Sequence, residues 1–157
     1  MVTAVPTIVT FPESKLTLDQ KIEKWTWQYC RALEENYRLY SMRHCERNLI
    51  ENPQSPYYQE LIRKTRLGLE CMKFRMEFGR KYIKIIQQDF DTFQERNEYR
   101  DGSVHAFVNK LTGEVYKPAS WKSPAKHVRY DLRIISDRDK LHDPDYTGWA
   151  GGYLYMR

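Results

Sequence analysis

The spacing Ser123-Pro-Ala-Lys126 could carry chemistry, because S-x-x-K sets a serine hydroxyl and a lysine amine on one helical face, as acyl-transfer enzymes do. It has no S-D-N or K-T-G companion, and a serine N-cap followed by proline at the first helical position explains the same residues. A second candidate, Asp143-Pro-Asp145-Tyr-Thr147-Gly148, offers oxygens at positions one, three and five and a glycine at six, like the first half of a calcium loop. Position twelve is Leu154 where the bidentate glutamate belongs, so turn chemistry is the better account. His44, His105, His127 and His142 are dispersed, and Cys30, Cys45 and Cys71 contain no C-x-x-C pair. Neither a zinc knuckle nor a disulfide framework is encoded locally, which fits a reducing compartment. There is no Walker loop, no G-x-G-x-x-G, and no strand-then-helix context around Gly148-Trp-Ala-Gly-Gly152. The expectation is a protein that is not an enzyme and uses no metal or cofactor.

The charge map says more. Between residues 60 and 84 there are eight basic residues against three acids, and from 117 to 133 five against one. In the first segment Lys73, Arg75 and Glu77 alternate with Met72, Phe74, Met76 and Phe78, which would give a strand one apolar and one charged face. In the second, Tyr116 and Trp121 stand among Lys117, Lys122, Lys126 and Arg129. Stacking groups beside cations are what single-stranded nucleic acid needs. The candidate binding residues are therefore Lys73, Arg75, Lys84, Tyr116, Lys117, Trp121, Lys122, Lys126 and Arg129. Trp121 as a packed structural residue is the competing reading.

These residues need elements to hold them. Thr17-Leu-Asp-Gln20 has the form of a capping box, and Ile22, Trp25, Tyr29, Leu33, Tyr37 and Tyr40 recur at helical spacing until Asn52-Pro53. That stripe reads as core, with a partner-helix seam as the alternative. Ser55-Pro56 starts a second helix carrying Tyr58, Leu61, Ile62 and Thr65. The alternating run predicts a strand from about Cys71, a turn or bend at Gly79, and a second strand over residues 81–87. Residues 89–102, with five acids and two arginines, read as a solvated loop or a frayed turn of helix. Residues 103–109 and 114–117 flank Leu-Thr-Gly as a hairpin. A short strand over residues 129–135 and an aromatic tail pinned by Trp149, Tyr153 and Tyr155 complete the chain. The fold class is α+β, two N-terminal helices on an antiparallel meander of three to four strands. One domain is expected, made of an extended arm (1–16), a helical part (17–69) and the meander with its basic loop and tail (71–157).

The 157 residues suffice for a core without staples, and a net charge of +5 favours an anionic partner. The N-terminal MVTAVPTIVTFPESK lacks a basic n-region and is broken by Pro6 and Pro12, unlike a signal peptide, and no apolar run is long enough to cross a bilayer.

The runs RKYIKI (80–85), SVHAFVNKLTGEVYKPASWKSPAKHVRYDL (103–132) and WAGGYLYMR (149–157) resemble small proteins of tailed phages of marine cyanobacteria and related bacteria, which carry a block of the form FVDKxTGxVYKxASWKxPAK. The likeness covers roughly the C-terminal half. It implies a viral origin, hence the host cytoplasm or the virion as the location, and hands over no catalytic residue. The combined expectation is a small basic phage protein that binds nucleic acid or a nucleoprotein target. The alternatives are a virion or assembly component docking on other phage proteins through aromatic surfaces, given that 14% of residues are aromatic, and an inhibitor of a host enzyme.

Overall fold

The computed structural model describes residues 12–155. Helix α1 (Leu18–Glu51) begins as its capping box demands: Gln20 N donates to Thr17 Oγ1, and Thr17 N donates back to Gln20 Oε1 at 2.9 Å. At 1.5 Å per residue it is about 51 Å long. Helix α2 (Pro56–Arg66) starts with Ser55 as N-cap and proline in its first turn. Of the expected arm, residues 1–11 lie outside the described residues. Glu13–Lys15 form a single 3-10 turn, tied down where Trp25 Nε1 donates to Glu13 Oε1.

Five antiparallel strands follow in chain order: β1 (Lys73–Phe78), β2 (Tyr82–Asp91), β3 (Glu98–Asn109), β4 (Glu114–Tyr116) and β5 (Tyr130–Asp131). Two helices on an antiparallel meander is the fold class expected from sequence, with one strand more. Residues 89–102 are a correction: β2 and β3 continue through most of this stretch, with Phe90 opposite Tyr99 and a 3-10 turn at Phe93–Glu95. Of the segment read as strand, β5 takes only two residues; a turn follows at 132–134, and a short helix α3 (Ile135–Leu141) starts at its last residue.

The core lies between α1 and one face of the sheet. Ile22, Trp25, Tyr29 and Leu33 meet Phe74, Ile83, Ile85, Ala106, Val108 and Val115, all buried. The helical stripe fades beyond them: Tyr37 is half-buried and Tyr40 is 44% exposed. The free edge of β1 is held by an ion pair on α1. Glu34 Oε2 accepts from Phe74 N at 2.9 Å and Arg31 Nη2 donates to Phe74 O at 3.1 Å, so this edge offers fewer open groups to another strand.

The tail docks on α1 and β3. Asn36 donates to Pro144 O (2.7 Å) and accepts from Trp149 N (3.0 Å), while the Trp149 ring meets Tyr37 and Tyr40 at 5.4 and 5.3 Å. The Tyr153 hydroxyl sits between Tyr29 and His105, 2.7 Å from His105 Nε2. Trp149 and Tyr153 thus pin the tail as expected, whereas Tyr155 is 64% exposed.

Candidate functional site

The face of the sheet turned away from α1 is not a plain solvated surface. Phe107 belongs to it, between inward-facing Ala106 and Val108, yet is only 2% exposed. Tyr82 covers Phe107 edge-on at 5.8 Å and meets Tyr116 at 6.0 Å. Lys84 stands opposite Phe107 in the register and lays its Nζ 5.8 Å from that ring, 5.3 Å from Trp121 and 3.6 Å from Glu77. The outer face thus has a small aromatic centre covered by Lys84, with Lys81 Nζ over the Tyr82 ring at 5.4 Å.

Trp121 reaches this place because residues 117–126 fold into a tight turn. Pro118 and Pro124 form an isolated bridge, Ala119 N donates to Ser123 O (3.0 Å), and Ala125 N donates to Lys117 O (2.7 Å). The hydroxyls of Ser120 and Ser123 lie 3.0 Å apart. No helix forms at Ser123, so both the S-x-x-K spacing and the N-cap reading are corrected together: two prolines close a loop and do not start a helix. Around Asp143 the chain makes the expected turns, with Asp145 N and Thr147 N donating to Asp143 Oδ1 and O.

The predicted residues divide into groups. Lys84, Tyr116 and Trp121 belong to the outer face and its overhanging loop. Lys122 and Lys126 are exposed on the same loop. Arg129 follows, its amide bonded to Val115 O, and its Nε and Nη1 are buried with no hydrogen-bond partner in the protein. Lys117 points elsewhere, with Nζ 4.6 Å from the Tyr155 ring. Lys73 stacks over Tyr99 at 4.1 Å, at the far end of β1. Arg75 is withdrawn into a bidentate ion pair with Asp101 and a longer contact to Glu77.

Sequence reasoning passed over a cleft of about 430 Å³ at the sheet edge, where the loop and the tail meet β3. Gln87, Ser103, His105, Lys117 and Tyr155 are among its walls. His105 is 7% exposed, and burial pushes its pKa down to about 4, so it is a neutral imidazole at physiological pH. Only Lys117 and the tail aromatics gave any sequence signal here, because strands and tail converge through tertiary packing. No helix among the described residues is long and apolar enough to cross a membrane.

No curated protein and no solved structure matches the chain. A family model does, over residues 9–156, and the chain belongs to that family, the family of unknown function DUF7717.

Proposed function

We propose that this chain is a small, basic, non-enzymatic binding protein of a tailed phage, taking nucleic acid or a nucleoprotein as its target through the outer sheet face and the loop at residues 117–129. The observation that carries the reading is Arg129. Two of its guanidinium N–H groups are buried without an acceptor, in a loop with four cations and no acid. A buried, unpaired donor costs about 1–3 kcal/mol, more when charged, and a phosphate oxygen met by the guanidinium on turning outward would relieve that cost. Lys122 and Lys126 add phosphate contacts, and Trp121, 43% exposed above Lys84, offers a stacking face. The phage origin rests on the sequence resemblance of the C-terminal half.

Fluorescence anisotropy of labelled single- and double-stranded oligonucleotides at two salt concentrations tests this. Micromolar or tighter binding that weakens with salt is expected, and no binding at low salt overturns it.

One observation favours a second reading, an assembly component docking on other phage proteins. Beside the α1–α2 connection Ile50 and Tyr57 are 79% and 67% exposed, and at the other end of α2 Leu67 is 63% exposed. A monomer in solution together with absence from purified particles would remove it. The third reading, a host-enzyme inhibitor, uses the same cations as the first and is separated from it by a pull-down from host lysate.

A further inference from the structure

The cleft at the sheet edge continues under Trp121. A second depression of about 320 Å³, walled by Gly102, Ala119, Ser120 and Trp121, shares Ser103, Val104 and Pro118 with the first. The two form one groove, and its ends are built alike. At one end Lys84 Nζ lies 5.3 Å from the Trp121 ring, at the other Lys117 Nζ lies 4.6 Å from the Tyr155 ring. Along its floor β3 is paired with β2 on one side and has no strand on the other, because β4 pairs only with Phe107 and Val108.

We infer that this groove binds a short run of single-stranded nucleic acid, with bases on Trp121 and Tyr155, a phosphate on Lys117, and base edges read by Gln87, Ser103 and the open edge of β3. The inference rests on the nucleic-acid reading above and narrows it to unpaired strands. Four properties of the groove support it. Its lining contains a lysine and no carboxylate; the acid beside it, Asp89, is contacted by Gln87 Nε2 at 3.5 Å. Its aromatic ends offer faces that any base can stack on. Its larger part falls within the range, about 300–1,000 Å³, of sites that take small molecules. Its floor holds an amide, a hydroxyl and unpaired backbone, the groups that hydrogen-bond to base edges. A duplex keeps its base faces stacked inside and could not use the two aromatic ends.

The test compares wild type with Tyr155→Ala, Ser103→Leu and the double variant Lys122→Ala/Lys126→Ala. All four positions are exposed, so folding should survive, and melting curves check this. With labelled oligothymidylate, Tyr155→Ala and Ser103→Leu are each expected to weaken binding about tenfold or more without changing its salt slope, and to leave duplex binding unchanged. Adding AMP to the wild-type protein should shift the amide resonances of Ser103, His105, Lys117 and Gly151. Single-strand binding that survives both groove substitutions overturns the groove while leaving the basic loop in place. No binding to any oligonucleotide at low salt removes both proposals. Shifts at Ser103 and His105 with an extended peptide but not with AMP would assign the edge to strand addition and also overturn the inference.

Discussion

The guanidinium of Arg75 on β1 grips both carboxylate oxygens of Asp101 on β3, Nε to Oδ1 at 2.9 Å and Nη2 to Oδ2 at 2.6 Å, across the one intervening strand, β2. Gln88 donates to the same carboxylate at 3.0 Å, and together they hold the Asp101 pKa down to about 2. This pair is a structural clasp, so its effect belongs to stability and not to affinity. Both partners are about a third exposed, and screening keeps such a pair near 1 kcal/mol or below. Because the folded pKa is depressed, the contribution is present above the unfolded carboxylate range and is lost as pH falls from about 4 to about 2. Asp101→Asn should lower the melting temperature by about 2–4 °C at neutral pH, with the difference from wild type closing near pH 2. Unfolding curves at both pH values check this.

His105 should show proton linkage of the same sign from a different cause, burial of the ring in place of an ion pair. Its imidazole is buried against Phe74, Tyr29 and Tyr153, with a folded pKa of about 4 against an unperturbed 6.5. The unfolded state then binds the extra proton between those values, so stability falls as pH drops from 6.5 to about 4, by about 3 kcal/mol in total. His105→Gln should remove that part of the pH dependence. Urea unfolding of both proteins at pH 7 and pH 4.5 measures it; parallel losses would show that the imidazole is not the source.

The reach of sequence reasoning differed along the chain for a physical reason. Both long helices were legible from local chemistry, the Thr17 box and the Ser55-Pro56 start, and β1 from strict alternation. Residues 89–102 were not, because they extend the β2–β3 hairpin past the buried core, where neither face writes a hydrophobic pattern. The one available mark was the aromatic pair Phe90 and Tyr99, which meet edge to face at 5.1 Å. The short helix α3 left as little trace, since Leu141 is its one buried residue. At the candidate site, the basic loop was readable as composition. The withdrawal of Arg75 by a carboxylate 26 residues away, and the convergence of Gln87, Ser103 and Tyr155, required the folded chain.

Arg129 should display a trade between stability and binding. Its partly buried, unpartnered guanidinium strains the free protein, so Arg129→Met is expected to raise unfolding free energy by about 1 kcal/mol while weakening oligonucleotide binding. Chemical denaturation and anisotropy on the same preparation read both effects. A variant that loses stability instead would mean the guanidinium is satisfied in the free protein.

Lys122 and Lys126 should act through counterion release. Replacing both by alanine is expected to flatten the slope of log affinity against log salt by about one to two. Arg75→Ala, already neutralised by Asp101, should leave that slope unchanged. Equal slopes for wild type and the double variant would place the phosphate contacts elsewhere.

The sheet order β1-β2-β3-β4-β5 repeats the chain order, so each strand can pair with the one made just before it and no crossover must be threaded. Loop closure is therefore brief for most of the molecule, which favours rapid refolding in the range typical of mixed two-state domains. The distant closure is the tail, where the Tyr153 hydroxyl meets Tyr29 across 124 residues. That docking completes the walls of the groove beside β3, so a closure of this sequence separation is also the one that makes the proposed binding surface.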